Sequence, residues 1–354
     1  MKEMAFVCSW EKNREYSWSG THYGLYSSLK QYFDVVDYPV HGSLIRKVFV
    51  KLGLLSNDFG IHDMEKQSSQ FKFDKDAVIF QFGEVPYSFN KKQFIYQDLS
   101  VCNVAYMCEN QKELFPYSGY SKIPYDSILK RKKYQSNFYF SDNCAGIFTM
   151  GKWYADFLVN EVKVPSEKVF HVGGGVNLDL SKRNTSLKRG NTFLFCGKAF
   201  ERKNGPLVVE AFKLLKKRRP DVILYIVGPS DSNIVSDGIK CLGLLSHEEE
   251  IEYFNRADVF VMPSLFEAYG LVFPEALLFG MPCVGRKAYE MPYFIEEGKT
   301  GYLLENQSAE ELSILMEKSI SLKDNVNVKF DFYKEEYSWN TVAKRIADII
   351  GKIV

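Results

Sequence analysis

No run in this 354-residue chain approaches the ~20 consecutive apolar residues of a membrane-spanning helix, and its first residues lack a secretory-leader pattern. A cytoplasmic protein is expected. Charge of one sign is also missing: a formal net charge of +1 gives no electrostatic case for nucleic acid. The seven cysteines contain no Cys-x-x-Cys pair and fall largely in apolar runs such as 5–9 and 193–196, so they read as reduced core thiols. The five histidines, His22, His41, His62, His171 and His247, show no metal-ligand spacing with one another or with cysteine, and no metal is expected. There is no Gly-x-Gly-x-x-Gly, which disfavours a nicotinamide enzyme, and no internal repeat or low-complexity tract.

What is present is enough for about two globular domains, since 354 residues with 46% hydrophobic content exceed one typical core. Short β-rich runs at 4–9, 77–84, 94–100, 193–197 and 222–229 alternate with helical patterns, as in βαβ units with parallel strands. Ligands of such sheets bind at the carboxyl ends of the strands.

Three strand-to-helix junctions carry candidate chemistry. In 266–280, Glu267 and Glu275 are separated by seven residues, with a turn at Gly270 and an apolar helix starting near Pro274. Exposed amides at such a turn take phosphate oxygens, and the flanking carboxylates accept hydrogen bonds from sugar hydroxyls. In 193–205 a buried strand runs into a loop with Lys198, Arg202 and Lys203, cations that can clamp a diphosphate without a metal. Near the start, Ser19 or Thr21 is expected to cap a helix, with Gly20 allowing close approach of a ligand to the backbone.

The 266–280 segment, with 257–264 before it and 280–284 after it, resembles the Glu-x7-Glu signature of retaining GT-B glycosyltransferases, especially glycosyltransferase family 4. The resemblance spans roughly the last half of the chain. It implies an α/β fold of GT-B type, two Rossmann-like parallel-sheet domains facing across a cleft. An acceptor-side domain is expected over 1–180, a nucleotide-sugar domain over 181–335, and a last helix over 336–354 crossing back to the first domain. The polar stretch 178–190 is expected to be the linker and hinge.

The implied reaction moves a sugar from a nucleotide-diphosphate sugar, UDP- or GDP-linked, to a hydroxyl of a glycan or lipid-linked glycan, with retention and without a cofactor beyond the donor. Glu267 would hold donor sugar hydroxyls and Glu275 the ribose. Lys198, Lys203 and the Gly270 and Leu271 amides would face the leaving diphosphate, with Arg202, Ala268, Tyr269 and Val272 lining the same site. Leu245 would lie by the base, and Gly20 and Thr21 would face the cleft from the first domain. Asp98 stands near the strand end where relatives often place a histidine. Lys198 also departs from the family's arginine, and Asn204 is inserted between Lys203 and Gly205. Two alternatives stay open: a non-catalytic sugar-nucleotide-binding partner of another transferase, and a sugar-nucleotide epimerase of the same fold.

Asp74-Lys-Asp76 has the form of a metal-binding Asp-x-Asp but precedes its strand, and a solvated turn is the simpler expectation. Residues 44–55 mix basic and bulky apolar side chains as an interfacial helix does, and 130–133 is a compact basic run. Peripheral contact with an anionic membrane is the expectation they raise.

Overall fold

The computed structural model describes residues 1–52, 54–55, 60–83, 89, 91–188, 190–228 and 234–354. Glu84 and Pro229, which end two of the apolar runs above, lie outside them. The chain forms two compact units, Met1–Asn177 with Ser338–Val354, and Leu178–Tyr337.

The first unit contains β1 (Glu3–Cys8), α1 (Thr21–Leu29), β2 (Asp34–Pro39), α2 (Leu44–Lys51), α3 (Ile61–Ser68), β3 (Val78–Phe82), β4 (Gln93–Gln97), α4 (Val101–Asn110), α5 (Tyr125–Phe140), β5 (Cys144–Thr149), α6 (Lys152–Asn160) and β6 (Val169–His171). Its strands form a parallel sheet in the order β2-β1-β3-β4-β5-β6. Strands β3 and β4 are buried throughout, as central strands are when helices cover both sheet faces, and the burial takes in Gln81, Gln93 and Gln97 along with the apolar residues.

The second unit contains β7 (Thr192–Cys196), α7 (Gly205–Arg218), β8 (Ile223–Val227), β9 (Ile239–Gly243), α8 (His247–Arg256), β10 (Val259–Val261), α9 (Val272–Leu278), β11 (Cys283–Arg286), α10 (Met291–Phe294), β12 (Gly301–Leu304), α11 (Ala309–Ser319), α12 (Lys323–Asn327) and α13 (Phe330–Glu336). Its sheet is also parallel, ordered β12-β11-β10-β7-β8-β9. Two Rossmann-like α/β units result.

The last helix, α14 (Trp339–Ile353), belongs to the first unit and packs on α1. Its first residue, Trp339, fills hollows that only glycine leaves open: a Cβ on Gly24 would lie 2.4 Å from the indole, and one on Gly175 would lie 2.5 Å from it. Trp339 Nε1 donates to Asn177 Oδ1 (2.8 Å), and Asn177 Nδ2 donates to the Ser19 carbonyl (2.7 Å).

The stretch expected as a linker is not free chain. Arg183 donates to the Leu278 carbonyl and to Asn327 Oδ1, each at 2.7 Å, and stacks 4.3 Å over Phe330. Asn184 N donates to Asn255 Oδ1 (2.6 Å), and Lys188 donates to the Phe254 and Ala257 carbonyls that end α8. These bonds tie 178–188 to α8 and α9, and the stretch is part of the second unit.

Candidate functional site

Two loops meet at the carboxyl ends of β7 and β10. After β7 the chain turns at Gly197, where a Cβ would lie 2.8 Å from Lys203 Cγ. Gly228, at φ +122°, lets β8 end against the Gly197 carbonyl, 2.5 Å from where a Cβ would stand. The loop closes into α7 through Asn204, which holds φ +60° as the residue before the helix. Asn204 Nδ2 reaches the Pro263 carbonyl (3.2 Å) and Gln307 Oε1 (2.7 Å), so this residue staples the loop to its neighbours. Leu265 N donates to the Arg202 carbonyl, and Arg202 Nη1 donates to the Phe266 carbonyl, both at 2.9 Å.

This stitching sets Lys203 Nζ on Glu267 Oε2. Both are buried, at 9% and 6% exposure. Ser264 Oγ donates to the same carboxylate oxygen at 3.2 Å, and Arg202 Nη1 stands 3.7 Å from it. Burial pushes the Lys203 ammonium below the ordinary lysine value, and Glu267 beside it pushes back. The turn that follows needs glycine twice over: Gly270 has φ +90°, and its Cβ would lie 3.0 Å from Glu267 Cγ. The Gly270 and Leu271 amides have no hydrogen-bond acceptor among the described residues. They lie directly ahead of α9, where such groups take anions.

Glu275, half-buried, is the acid of the first turn of α9. Burial, with the fields of Glu250 and then Glu275, raises the Cys196 thiol at the end of β7, while Lys203 lowers it. Lys203, Glu250 and Glu275 therefore all act on one strand end, where Cys196 Sγ stands 3.8 Å from Glu250 Oε1. Lys198 acts on Glu250 and His247. It is exposed, it lowers Glu250 against the upward push of burial, and it adds to the burial that lowers His247. Leu245 is half-buried just before Ser246, whose capping box with Glu249 starts α8.

Of the remaining candidates in this unit, Ala268 and Val272 are half-buried on either side of the turn. Tyr269 is buried, its ring edge-on to Phe294 at 5.1 Å, so only its backbone can meet a ligand at the turn. Arg202 is brought to the pair, whereas Lys198 and Lys203 serve different partners rather than one clamp geometry.

In the first unit a cavity of about 440 Å³ opens at the carboxyl ends of β1, β3 and β4, lined by Trp18, His22, Phe82, Asp98, Ser100 and Tyr120 among others. Asp98 is therefore at a pocket. Ser100, the residue capping α4, is buried, and its hydroxyl has no hydrogen-bond partner among the described residues. The expected cap of α1 is corrected: Gly20, at φ +86°, precedes the helix with no side-chain cap, and Trp18 and Ser19 are left-handed as well. Thr21 is buried instead, its hydroxyl without a partner among the described residues. Asp74 and Asp76 are exposed ahead of β3.

Sequence reasoning passed over two residues. Ser264 binds the Glu267 carboxylate from three positions upstream, a proximity readable from the Pro-Ser pair before Glu267. His22 stands 4.2 Å from the Phe82 ring, and its Nδ1 meets Ser17 Oγ at 3.0 Å. Burial lowers its pKa to about 4, so it is neutral at pH 7. The signal lay in the aromatic residues of three separate segments, which no local pattern joins.

Residues 178–337, the whole of the second unit, match the family model for the glycosyl transferases group 1, and this unit is a domain of that family. A D-inositol 3-phosphate glycosyltransferase of Paenarthrobacter aurescens is 29% identical over 220 residues, 53% of this chain and 53% of that protein. The chain spans about half the length of the curated relatives it matches. Sucrose-phosphate synthase from Thermosynechococcus elongatus superposes with a TM-score of 0.67 at 15% identity, over 99% of each chain. WaaG, a glycosyltransferase involved in lipopolysaccharide biosynthesis, superposes with a TM-score of 0.61 at 15% identity, over 98% of this chain and 99% of its own. These likenesses identify the fold as GT-B.

Proposed function

We propose that the protein is a retaining, metal-independent glycosyltransferase that moves a sugar from a nucleotide-diphosphate sugar to a hydroxyl of a glycan or lipid-linked glycan. The observation that carries this reading is the Lys203–Glu267 pair beside the Gly270 and Leu271 amides, which have no acceptor among the described residues, in a unit that matches the glycosyl transferases group 1. The diphosphate sits on those amides with Lys203 and Arg202 beside it, where positive groups stabilise the charge that develops as it leaves. Glu275 accepts from the ribose hydroxyls at the first turn of α9. Glu267, fixed by Lys203 and Ser264, accepts from the sugar hydroxyls and is not free to attack carbon. The bond from the anomeric carbon to the leaving phosphate oxygen breaks, the acceptor oxygen bonds on the same face, and its proton passes to the leaving phosphate. The cavity of the first unit, with aromatic walls and the acid Asp98, suits a polyhydroxyl acceptor more than an anion.

Thermal-shift titration with UDP-, GDP- and ADP-sugars, paired with an assay of sugar transfer, tests the reading. One nucleotide class should raise the melting temperature, because a ligand at ~100 times its Kd adds about 2.7 kcal/mol of stability. Stabilisation without donor hydrolysis or transfer to any glycan would make the protein a non-catalytic binder. Absence of any shift would remove the site.

A further inference from the structure

Helix α2 faces the wrong way for a core helix. Residues three and four apart share one face, and Leu44, Ile45, Val48, Phe49 and Leu52 form one contiguous apolar stripe. In a globular domain such a stripe is buried. Here Leu44 is 77%, Ile45 71%, Val48 57% and Leu52 65% exposed, and no residue of the helix is buried. The side turned toward the protein is carried by Arg46 and Val50, four residues apart and half-buried. The stripe continues into Leu54 and Leu55, both exposed.

The helix is nevertheless held in place. Ser43 caps it, accepting from Arg46 N at 3.3 Å, and Ser43 N donates to Asp63 Oδ2 of α3 at 2.9 Å. Gly42 and Gly60 approach so closely that a Cβ on Gly60 would lie 3.3 Å from Gly42 Cα. The outward stripe is therefore a fixed surface. It carries cations at its edge, the exposed Lys47 and Lys51, and no acid occurs in the helix. Among the described residues, the acids of α3 are engaged away from it: Asp63 with Ser43, and Glu65 as acceptor from Tyr134 of α5 at 2.5 Å.

We propose that α2 and the leucines after it dock the first unit on an anionic lipid surface, with the apolar stripe in the headgroup boundary and Lys47 and Lys51 among the phosphates. Charge decides the occupant. A second copy placed face to face would bring like-charged lysine edges together with no acid on either helix to answer them, whereas an anionic leaflet answers both lysines and the stripe. The inference is independent of the reaction assigned to the second unit.

Flotation of the full chain with vesicles of phosphatidylcholine, with and without phosphatidylglycerol, tests it. Binding should require phosphatidylglycerol and weaken with salt. Lys47→Ala with Lys51→Ala should weaken binding roughly 30-fold, about fivefold per lysine. Ile45→Ser with Val48→Ser should weaken it at least about tenfold. All four side chains are exposed or unburied, so both variants should melt like the parent, and their nucleotide-sugar thermal shifts should be unchanged. No flotation with phosphatidylglycerol vesicles, or flotation unchanged in both double variants, overturns the proposal. A concentration-dependent dimer that Ile45→Ser with Val48→Ser dissolves would overturn it in favour of a second copy.

Discussion

Replacing Lys203 by methionine should cost more stability than any surface change in the second unit. Among the described residues, the substitution leaves the buried Glu267 carboxylate with the Ser264 hydroxyl at 3.2 Å and Arg202 at 3.7 Å to answer it. Breaking a buried pair from one side costs about 3–5 kcal/mol, a large share of the 5–15 kcal/mol that holds a typical domain. Removing both charges in Lys203→Met with Glu267→Leu should restore most of that loss, because no stranded ion remains. The coupling in the double-mutant cycle should exceed about 2 kcal/mol. Urea melts followed by far-ultraviolet circular dichroism read it. The four tryptophans, Trp10, Trp18, Trp153 and Trp339, all lie in the first unit, so their emission serves as an internal control. The double variant, though stable, should bind the nucleoside diphosphate at least 10- to 100-fold more weakly, the worth of a charged hydrogen bond at about 1.5–3 kcal/mol. Stability losses that simply add would refute the view that each charge is buried for the other.

Three further outcomes are expected. Transfer should survive EDTA, since Lys203, Arg202 and the turn amides face the diphosphate; complete loss restored by Mg or Mn would overturn that assignment. Glu275→Gln should weaken binding of the free nucleoside diphosphate as much as that of the donor, with little effect on melting because the side chain is only half-buried; calorimetry showing unchanged diphosphate binding would remove its ribose role. His22 is held neutral down to about pH 4, whereas the unfolded chain takes up this proton near 6.5. Its contribution is thus full above pH 6.5 and falls by about 3 kcal/mol as the pH drops to 4, so His22→Gln should flatten the acid limb of the stability profile, and urea melts in which both proteins fall in parallel would refute it.

The α/β class was legible because parallel strands buried on both faces read as mostly apolar runs, such as Val78–Phe80 and Phe193–Phe195. The two second-unit loops were legible because Gly197 follows the end of β7 and Gly270 turns the chain into α9. Their union was not. Lys203 and Glu267 lie 64 positions apart, and only the sheet order, with β10 beside β7, brings them together. The same limit hid His22, whose neighbours Trp10, Trp18 and Phe82 come from separate segments. It also misread 178–188, where side chains that look solvated find backbone carbonyls of α8 and α9. Local pattern reports what a residue is, and burial depends on what arrives beside it.

The seat of Trp339 makes the first unit discontinuous in the chain. Its α14 must be delivered after the whole of Leu178–Tyr337, which is inserted between Asn177 and Ser338. Closing so long an unstructured loop carries an entropic cost that rises with its length, and a folded insert replaces that loop by a compact body. During synthesis, the Gly24 and Gly175 hollows stay empty until the last helix emerges, and the Ser19 turn lacks the Asn177–Trp339 brace for as long. The second unit thereby acts as a timer: the left-handed turn beside the first unit's cavity is braced only once the domain carrying Lys203 and Glu267 has been made.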